Sequence, residues 1–359
     1  MQKMRVLSGM QPSGGMHIGN LIGALQNWIK LQEENECFFF VADWHAISTN
    51  YENTNDIKEN IKQMLINWLA CGLDPAKSTI FIQSRVEEHA ILHLLLSMIT
   101  PVSWLERNPT YKEQQDQIKN KDLSTYGFLG YPVLQSADIL LYKADAVPVG
   151  IDQLPHLELT REIARRFNYL YANSKPEGWS SKAWSSDIEM SKAWSGNIQR
   201  SEYLGILKEP KALLTEIPKL PGTDGRKMSK SYNNAIYLSD PVDVFENKVK
   251  NLITDPARVR RTDKGNPDVC TAFVFHKIYS SADNVSQIDK DCRAAAIGCT
   301  DCKKRLLERM RLAMKPIWEK RESLLSDPKK VMDIADAGSN RAKKIASDVL
   351  KKVKEAMRI

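Results

Sequence analysis

The sequence lacks an apolar run long enough to cross a membrane, and residues 1–7 lack the apolar core of a secretory signal. Its longest apolar stretch, residues 90–99, is too short for a membrane span and contains His93. These absences argue against a membrane protein and against a secreted one. We therefore expect a cytoplasmic protein with no membrane partner.

Cysteine is scarce, with 6 residues in a chain of 359. Because thiols stay reduced in the cytoplasm, the chain is not expected to depend on a disulfide framework. Cys37 and Cys71 lie in apolar segments and are predicted to be inert core residues. The other four cysteines are grouped between residues 270 and 302, which predicts a shared role.

Acidic residues are outnumbered, 44 against 51 basic ones, and the formal net charge is +7. The excess lies near the end of the chain, because residues 303–359 contain 17 basic and 8 acidic side chains and carry +9. Such a surface attracts phosphate backbones, although a lysine-rich helix is also an ordinary solvated surface. Charge alone leaves both interpretations equally open.

The first half of the chain alternates short apolar runs with helical periodicity. Strands are predicted over residues 4–8, 37–41 and 79–83, and helices over residues 21–32, 56–71 and 85–99. This alternation is typical of a doubly wound, nucleotide-binding parallel sheet. Beyond residue 234, amphipathic helices are predicted over residues 240–253, 302–325 and 329–358. We predict an α/β protein with a Rossmann-like domain and a second, all-helical domain.

Residues 172–205 differ in composition from the rest, being rich in Ser, Lys and Trp, and they repeat Ser-Lys-Ala-Trp-Ser at residues 181–185 and 191–195. Their polar composition favours a surface insertion over a core element. The predicted organisation is a Rossmann-like domain of residues 1–171 and 206–232, the insertion 172–205, and a helical domain of residues 233–359.

A glycine-rich turn follows the first predicted strand and leads into a helix. Residues 9–20 read Gly-Met-Gln-Pro-Ser-Gly-Gly-Met-His-Ile-Gly-Asn. Glycine lets the backbone approach a ligand closely, and a helix N-terminus offers free N–H groups and a favourable dipole to phosphate. The pattern indicates a phosphate site, with a tight turn that binds nothing as the alternative.

A second loop places Lys227 and Lys230 three positions apart, within Gly-Thr-Asp-Gly-Arg-Lys-Met-Ser-Lys-Ser at residues 222–231. Two ammonium groups can neutralise the charge that develops on a departing pyrophosphate, and a closing loop can supply them when needed. By itself, such a loop is more often a solvated basic turn.

Together, the two segments resemble the paired signatures of class I aminoacyl-tRNA synthetases. Residues 17–20, His-Ile-Gly-Asn, are similar to His-Ile-Gly-His, and residues 227–231, Lys-Met-Ser-Lys-Ser, match the second signature in full. The resemblance implies that an amino-acid carboxylate attacks the α-phosphate of Mg²⁺-bound ATP, and that the aminoacyl adenylate is then transferred to tRNA. Positioning and charge stabilisation suffice for this chemistry, without a side-chain nucleophile.

Two further sequence segments narrow the choice of the amino-acid substrate. Residues 131–142, Tyr-Pro-Val-Leu-Gln-Ser-Ala-Asp-Ile-Leu-Leu-Tyr, resemble the amino-acid-binding helix shared by the tyrosine and tryptophan enzymes. Residues 147–162, which begin Val-Pro-Val-Gly-Ile-Asp-Gln, are similar to the bacterial tryptophan enzymes and unlike the Gly-Ser-Asp-Gln-Trp-Gly-Asn run of the tyrosine enzymes. The resemblance implies tryptophan, ATP and tRNA(Trp) as partners, a homodimer, and a helical domain on the anticodon side.

Carried over position by position, the resemblance also implies a site. Asp138 should accept the indole N–H, and since an unpaired buried acceptor costs roughly 1–3 kcal/mol, phenylalanine would be rejected. The other residues around tryptophan should be Leu7, His45, Tyr131, Gln135 and Gln153. The expected catalytic residues are Gln11, His17, Lys227 and Lys230. The expected ATP site comprises Gln11, Pro12, Ser13, Gly19, Asn20, Gly150, Ile151, Asp152, Ile217, Lys227, Met228, Ser229, Lys230 and Ser231. Gln135 and Ile151 depart from the family, in which many members have Met and Glu.

The four late cysteines, Cys270, Cys292, Cys299 and Cys302, end in a Cys-X-X-Cys pair. Four thiolates can hold zinc or an iron–sulfur cluster, and spacing does not separate the two. The cysteines resemble those of a subset of bacterial tryptophan enzymes that carry a [4Fe-4S] cluster, with a first gap about one residue shorter here. The resemblance favours the cluster over zinc, and over four free thiols, in a structural or tRNA-facing role.

Two other classes of protein explain less of the sequence. A small-molecule nucleotidyltransferase would explain the nucleotide site, but neither the tryptophan-type run nor the helical second half. A nucleic-acid-binding module with zinc or an iron–sulfur cluster would explain only the second half.

Overall fold

The computed structural model describes residues 3–108, 124–171, 205–214 and 220–359. The predicted insertion, apart from Gly205, and the predicted ATP-site residue Ile217 lie outside the described residues.

Strands and helices alternate through the first part of the chain. The order is β1 (Arg5–Met10), α1 (Ile18–Asn20), a π-helical turn (Leu21–Leu25), α2 (Gln26–Glu34), β2 (Glu36–Val41), α3 (Asp43–Asn50), α4 (Ile57–Cys71), β3 (Ser78–Ile82), α5 (Glu88–Ser97), α6 (Val102–Glu106), α7 (Tyr126–Leu140), β4 (Ala146–Val149), α8 (Leu154–Tyr171) and β5 (Lys211–Leu214). Short 3₁₀ helices follow β3 and β4, at Gln83–Arg85 and Ile151–Gln153.

The five strands of the described residues are parallel and form one sheet in the order β3-β2-β1-β4-β5. The predicted α/β, Rossmann-like fold is confirmed. The direction of winding reverses at β1, which lies between β2 and β4, and this reversal creates the crevice that ligands use in such sheets. The predictions did not include β4 and β5, because each has only four residues and β4 contains Pro148, which cannot donate a ladder hydrogen bond.

Burial on both faces of the sheet explains why β2 is apolar throughout. Cys37, Phe39 and Val41 point into one core and Phe38 and Phe40 into another, since successive side chains of a strand alternate between faces. Helices therefore cover both sides of the sheet, as the continuous apolar run predicts.

The remainder of the chain is helical, with α9 (Val242–Lys250), α10 (Thr271–Tyr279), α11 (Ala282–Arg293), α12 (Cys299–Ser326) and α13 (Pro328–Met357). The predicted helical second part is confirmed. Asp327 caps α13 by accepting the Lys330 N–H at 3.1 Å, and Pro328 occupies the first turn, where its missing N–H costs nothing.

Helix α13 packs across the edge strand β3 and joins the two cores. Val331 and Ala335 belong to one core, and Ala342 belongs to the other. The approach is close because residue 338 is glycine: a Cβ there would lie 1.8 Å from the carbonyl oxygen of Ile80. The helix thereby shields a sheet edge that would otherwise expose unpaired backbone groups. None of the helices in the described ranges is long and apolar enough to span a membrane.

Candidate active site

A pocket of about 350 Å³ lies at the carboxyl ends of β1 and β4, where the strand order reverses. Gly23 and Ala24 of the π-helical turn form part of its wall. All six residues that the resemblance places around tryptophan line this pocket: Leu7, His45, Tyr131, Gln135, Asp138 and Gln153. These side chains come from β1, α3, α7 and the turn after β4, so only the fold brings them together.

Asp138 is the buried charge of the pocket, with 1% of its surface exposed. His45 Nε2 lies 2.8 Å from its Oδ2, and His89 Nδ1 lies 2.6 Å from its Oδ1. Gln83 donates to both carboxylate oxygens, at 2.8 and 2.9 Å. Burial by itself would raise the pKa of Asp138, but the hydrogen bonds from His45 and His89 favour the ionised form and lower the pKa to about 2. The carboxylate is therefore ionised and acts only as an acceptor.

A second hydrogen-bond chain, formed by Tyr131, His156 and Gln153, also lines the pocket. The Tyr131 hydroxyl lies 3.0 Å from His156 Nε2, and His156 Nδ1 lies 3.2 Å from Gln153 Oε1. Because the amide oxygen only accepts, Nδ1 carries the hydrogen and Nε2 accepts from the tyrosine. Burial, with a smaller contribution from His45, lowers the pKa of His156 to about 4, so the ring is neutral near neutral pH.

The first glycine-rich segment begins at the end of β1, where Gly9, Met10 and Gln11 line the pocket. The His17 N–H donates to the Asn20 side-chain oxygen at 3.0 Å, which caps α1. Gly19 is required here, because a Cβ would lie 2.8 Å from His17 Nδ1. Burial, followed by the charge of Lys230, lowers the pKa of His17 to about 4, so this ring is also neutral near neutral pH.

The fold brings the two signature segments into contact across more than 200 residues of sequence. Lys230 Nζ donates to Ser13 Oγ at 3.2 Å. The Ile18 N–H donates to the Ile236 carbonyl at 2.9 Å, which ties the first segment to the chain beyond the second. Burial lowers the pKa of Lys230, whereas Lys227 is exposed. One ammonium group is therefore already placed beside the glycine-rich turn.

Asn234 holds the lysine loop, and sequence analysis missed this residue. Its side-chain oxygen accepts the Ser229 N–H at 2.8 Å, and its amide group donates to Asp224 at 2.7 Å and to the Lys227 carbonyl at 3.1 Å. Its side chain packs against Gly222, where a Cβ would lie 2.3 Å from the amide carbon. No signal in the sequence separates this asparagine from a surface one.

Of the predicted ATP residues, only Gln11 and Gly150 are among the pocket-lining residues that the structure describes. Gly150 lines the pocket, while Ile151 is 78% exposed and Gln153 Nε2 donates to Asp152 at 3.0 Å. Those outside the pocket lining are Pro12, Ser13, Gly19, Asn20, Ile151, Asp152, Lys227, Met228, Ser229, Lys230 and Ser231.

Three buried residues behind Asp138, namely Gln83, His89 and Tyr142, were also missed as site residues. Sequence analysis had a signal for two of them. Gln83 follows β3 at the ligand-binding edge of the sheet, and His89 and His93 are spaced as metal ligands sometimes are. Without an acidic partner motif, that spacing favours a partly buried helix face over a metal site, whereas in the structure His89 is fully buried and contacts Asp138.

The four late cysteines lie at neighbouring helix ends: Cys270 precedes α10, Cys292 is in the last turn of α11, and Cys299 and Cys302 begin α12. Burial, followed by the charges of the other three, raises the pKa of Cys302 to about 12, so the sulfurs are in electrostatic reach of one another. All four are free thiols. Within the described residues, no group of three or more His, Cys, Asp or Glu side chains is arranged to hold a metal ion. The geometry alone does not support the predicted cluster.

Comparisons with known proteins agree with this arrangement. A model of the family "tRNA synthetases class I (W and Y)" matches residues 1–315. The tryptophan–tRNA ligase of Thermotoga maritima is 49% identical over 358 residues, covering 99% of both chains. That of Ralstonia nicotianae is 46% identical over 393 residues, covering 98% of both chains. The crystal structure of tryptophanyl-tRNA synthetase from Campylobacter jejuni complexed with ADP and tryptophan is 30% identical, with a TM-score of 0.82, and covers 99% of this chain and 100% of that chain.

A doubly wound sheet with a pocket at its switch point and the two signature segments in contact, together with the matching family model, identifies a class I aminoacyl-tRNA synthetase. The chain belongs to the class I tRNA synthetase family of the tryptophan and tyrosine enzymes.

Proposed function

We propose that this chain is a tryptophan–tRNA ligase that activates tryptophan with ATP and transfers it to tRNA(Trp). The observation that carries the proposal is the identity of 49% with a tryptophan–tRNA ligase over nearly the full length of both chains. The pocket fits it, because an ionised carboxylate, Asp138, lies in a wall otherwise formed largely by apolar and aromatic groups.

In the first step, a carboxylate oxygen of tryptophan attacks the α-phosphorus of ATP, the bond to the β-phosphate breaks, and pyrophosphate leaves. Lys230 stabilises the charge on the leaving group from its place beside Ser13, and Lys227 joins it from the exposed side of the loop. Gln11 and the neutral His17 lie at the glycine-rich turn, where the phosphates meet the start of α1. In the second step, a hydroxyl of the terminal adenosine of tRNA displaces AMP from the acyl group.

Tryptophan is recognised by Asp138, which accepts the indole N–H, while Leu7, His45, Tyr131, Gln135 and Gln153 enclose the side chain. ATP with Mg²⁺ would occupy the remaining predicted positions, which are Pro12, Ser13, Gly19, Asn20, Gly150, Ile151, Asp152, Ile217, Lys227, Met228, Ser229, Lys230 and Ser231. We also retain the domain boundaries 1–171 with 206–232, 172–205 and 233–359, and a cytoplasmic location, as proposals.

The test is exchange of labelled pyrophosphate into ATP by the purified chain. We expect exchange that depends on tryptophan and is absent with tyrosine, followed by charging of tRNA(Trp). Exchange with tyrosine, or without any amino acid, would contradict the proposal.

We further propose that Cys270, Cys292, Cys299 and Cys302 hold a [4Fe-4S] cluster with a structural role, zinc being the alternative. The support is chemical: four thiols are the donor set of such a cluster, and the Arg258 guanidinium, 3.7 Å from Cys292 Sγ, offers a positive charge to anionic thiolates. An anaerobic preparation should be brown and contain about four irons per chain. Stoichiometric zinc without iron, or no metal at all, would contradict the cluster.

The implied homodimer needs an apolar face, and α5 presents one. Ile91, Leu94 and Met98 are spaced along one side of this region and are exposed, and Val102 and Tyr126 are exposed nearby. We propose that this face, defined by these five residues, packs against a second copy of the chain.

A further inference from the structure

The carboxylate of Asp138 is held from two sides. His45, which lines the pocket, contacts Oδ2 at 2.8 Å. His89 contacts Oδ1 at 2.6 Å and Gln83 bridges both oxygens, and neither of these residues lines the pocket. The carboxylate thus has one partner on the substrate side and two partners behind it.

These contacts fill the acceptor capacity of the group. An ionised carboxylate offers about four lone-pair positions, two on each oxygen. Oδ1 receives Gln83 and His89, and Oδ2 receives Gln83 and His45. An indole N–H that enters the pocket must therefore take the place of one donor, and His45 is the donor that the pocket exposes. Once His45 gives way, the direction of the carboxylate depends on His89 and Gln83.

His89 is itself held by a third residue, Tyr142. Its Nε2 lies 2.7 Å from the Tyr142 hydroxyl, and both side chains are fully buried among Phe40, Phe81 and Phe38. Burial, with the charges of Asp138 and Glu88, raises the pKa of Tyr142 well above its usual value, so the phenol keeps its proton. The tautomer that suits both neighbours carries hydrogen on Nδ1, towards Asp138, and accepts the Tyr142 proton at Nε2.

We propose that His89, fixed by Tyr142, is a positioning residue that directs the Asp138 carboxylate at the indole N–H when tryptophan displaces His45. The proposal rests on the proposed function, because it assumes that tryptophan is the substrate and that Asp138 accepts its N–H. It assigns specificity for tryptophan to residues that never touch the substrate.

The experiment compares two substrates of the same shape in pyrophosphate exchange. One is tryptophan and the other is β-(3-benzothienyl)alanine, in which sulfur replaces the indole N–H. The measured quantity is the ratio of kcat/KM for the two, called here the N–H preference. His89→Leu should lower the N–H preference by about tenfold, since a hydrogen bond to a misdirected charged acceptor is lost. Asp138→Ala provides the benchmark for complete loss.

Two milder variants keep the test valid if His89→Leu does not fold. His89→Asn retains a donor near the Nδ1 position and should restore most of the N–H preference. Tyr142→Phe, which removes one oxygen from a fully buried ring, should lower the preference in the same direction as His89→Leu but less. The matched control is His93→Asn, on the same helix α5 and outside the pocket lining, which should leave the preference unchanged.

A purely structural role of His89 would weaken the use of both substrates equally. The inference would be overturned if Asp138→Ala loses the N–H preference but His89→Leu keeps it. If His89→Leu does not fold, an unchanged preference in Tyr142→Phe would overturn it in the same way. Either result would leave the proposed function intact. If the unaltered chain shows no tryptophan-dependent exchange, the proposed function fails first.

Discussion

At the scale of single residues, the site is built from side chains whose protonation is set by burial and by one another. Asp138 stays ionised although it is buried, because His45, His89 and Gln83 all contact it. His156, by contrast, stays neutral, because burial disfavours its charged form and lowers its pKa. The pocket therefore presents one fixed negative charge and a neutral hydrogen-bonding wall.

Lys230 should matter for chemistry far more than for stability. We expect Lys230→Ala to slow tryptophan-dependent pyrophosphate exchange by roughly 10²–10³-fold, the cost of losing one preorganised group that stabilises developing charge. The free energy of unfolding should change little, because burial already disfavours the charge of this lysine. Lys62→Ala, at a partly exposed ion pair with Glu59, is the control and should exchange at the normal rate. A normal rate in Lys230→Ala would contradict the role.

Stability should fall in acid through His156. Its pKa is about 4 in the folded chain against 6.5 when free, so between these values the unfolded chain binds a proton that the folded chain does not. Stability is thus fully present above pH 6.5 and is lost as the pH falls towards 4. From pH 7 to pH 5 the loss from this group should be about 2 kcal/mol. Urea unfolding should show a pH dependence that is smaller by that amount in His156→Asn, and an unchanged dependence would refute the assignment.

At the scale of elements, three strands and the long helices of the second part were predicted from their periodicity, whereas the 18-residue helix α8 was not predicted. The helices over residues 56–71 and 329–358 correspond to α4 and α13, because an amphipathic stripe persists over many turns. The elements that were not predicted are β4, β5, α3, α6, α8, α10 and α11. A strand of four residues, such as β4 or β5, is too short for a hydrophobic period to be recognised in the sequence.

The close packing of helix α13 on β3 can be tested by whether a glycine-to-alanine substitution in this helix stabilises or destabilises the chain. Ala for Gly within a helix normally stabilises by about 0.5–1 kcal/mol. Gly338→Ala should instead destabilise the chain by about 1–3 kcal/mol, because the new Cβ would lie 1.8 Å from the Ile80 carbonyl oxygen and the helix must move off β3. Gly127→Ala, in α7 with no atom within 4 Å of its Cβ position, is the matched control and should stabilise. Urea denaturation of both variants measures the difference, and a stabilised Gly338→Ala would refute the close packing.

At the scale of the whole molecule, the second part of the chain is bound tightly to the first. Helix α13 completes both cores and covers the edge of the sheet, while Arg321 of α12 donates to Gln63 and Asn67 of α4 at 2.6 and 3.1 Å. The basic excess of the last two helices is therefore carried on a surface rigidly connected to the pocket. A basic surface in a fixed position relative to the pocket suits a protein that binds a large anionic partner at one place and reacts with it at another.

The proposed dimer gives a prediction at this scale. Met98 is 66% exposed on the apolar face of α5, and Met98→Glu should convert the dimer to a monomer in sedimentation, because burying an unpaired carboxylate in an interface is costly. Leu312→Glu on α12, where Leu312 is 67% exposed, is the matched control and should leave the mass unchanged. A Met98→Glu chain that remains dimeric would exclude this face.

By itself, the sequence determined the fold class, the family and the two signature segments, since these are written in local periodicity and in contiguous motifs. It also favoured tryptophan over tyrosine, because the runs at residues 131–142 and 147–162 are contiguous. Only the tertiary structure decided which buried groups surround Asp138, that Asn234 holds the lysine loop, and that α13 covers the sheet. Some of those contacts join residues that are far apart in the sequence. The hydrogen bond from the Ile82 N–H to the Ser339 hydroxyl, for example, joins residues 257 positions apart. The residues next to Gln83, His89 and Tyr142 in the sequence do not indicate which side chains these three will contact. Only folding of the chain brings their partners within 3 Å.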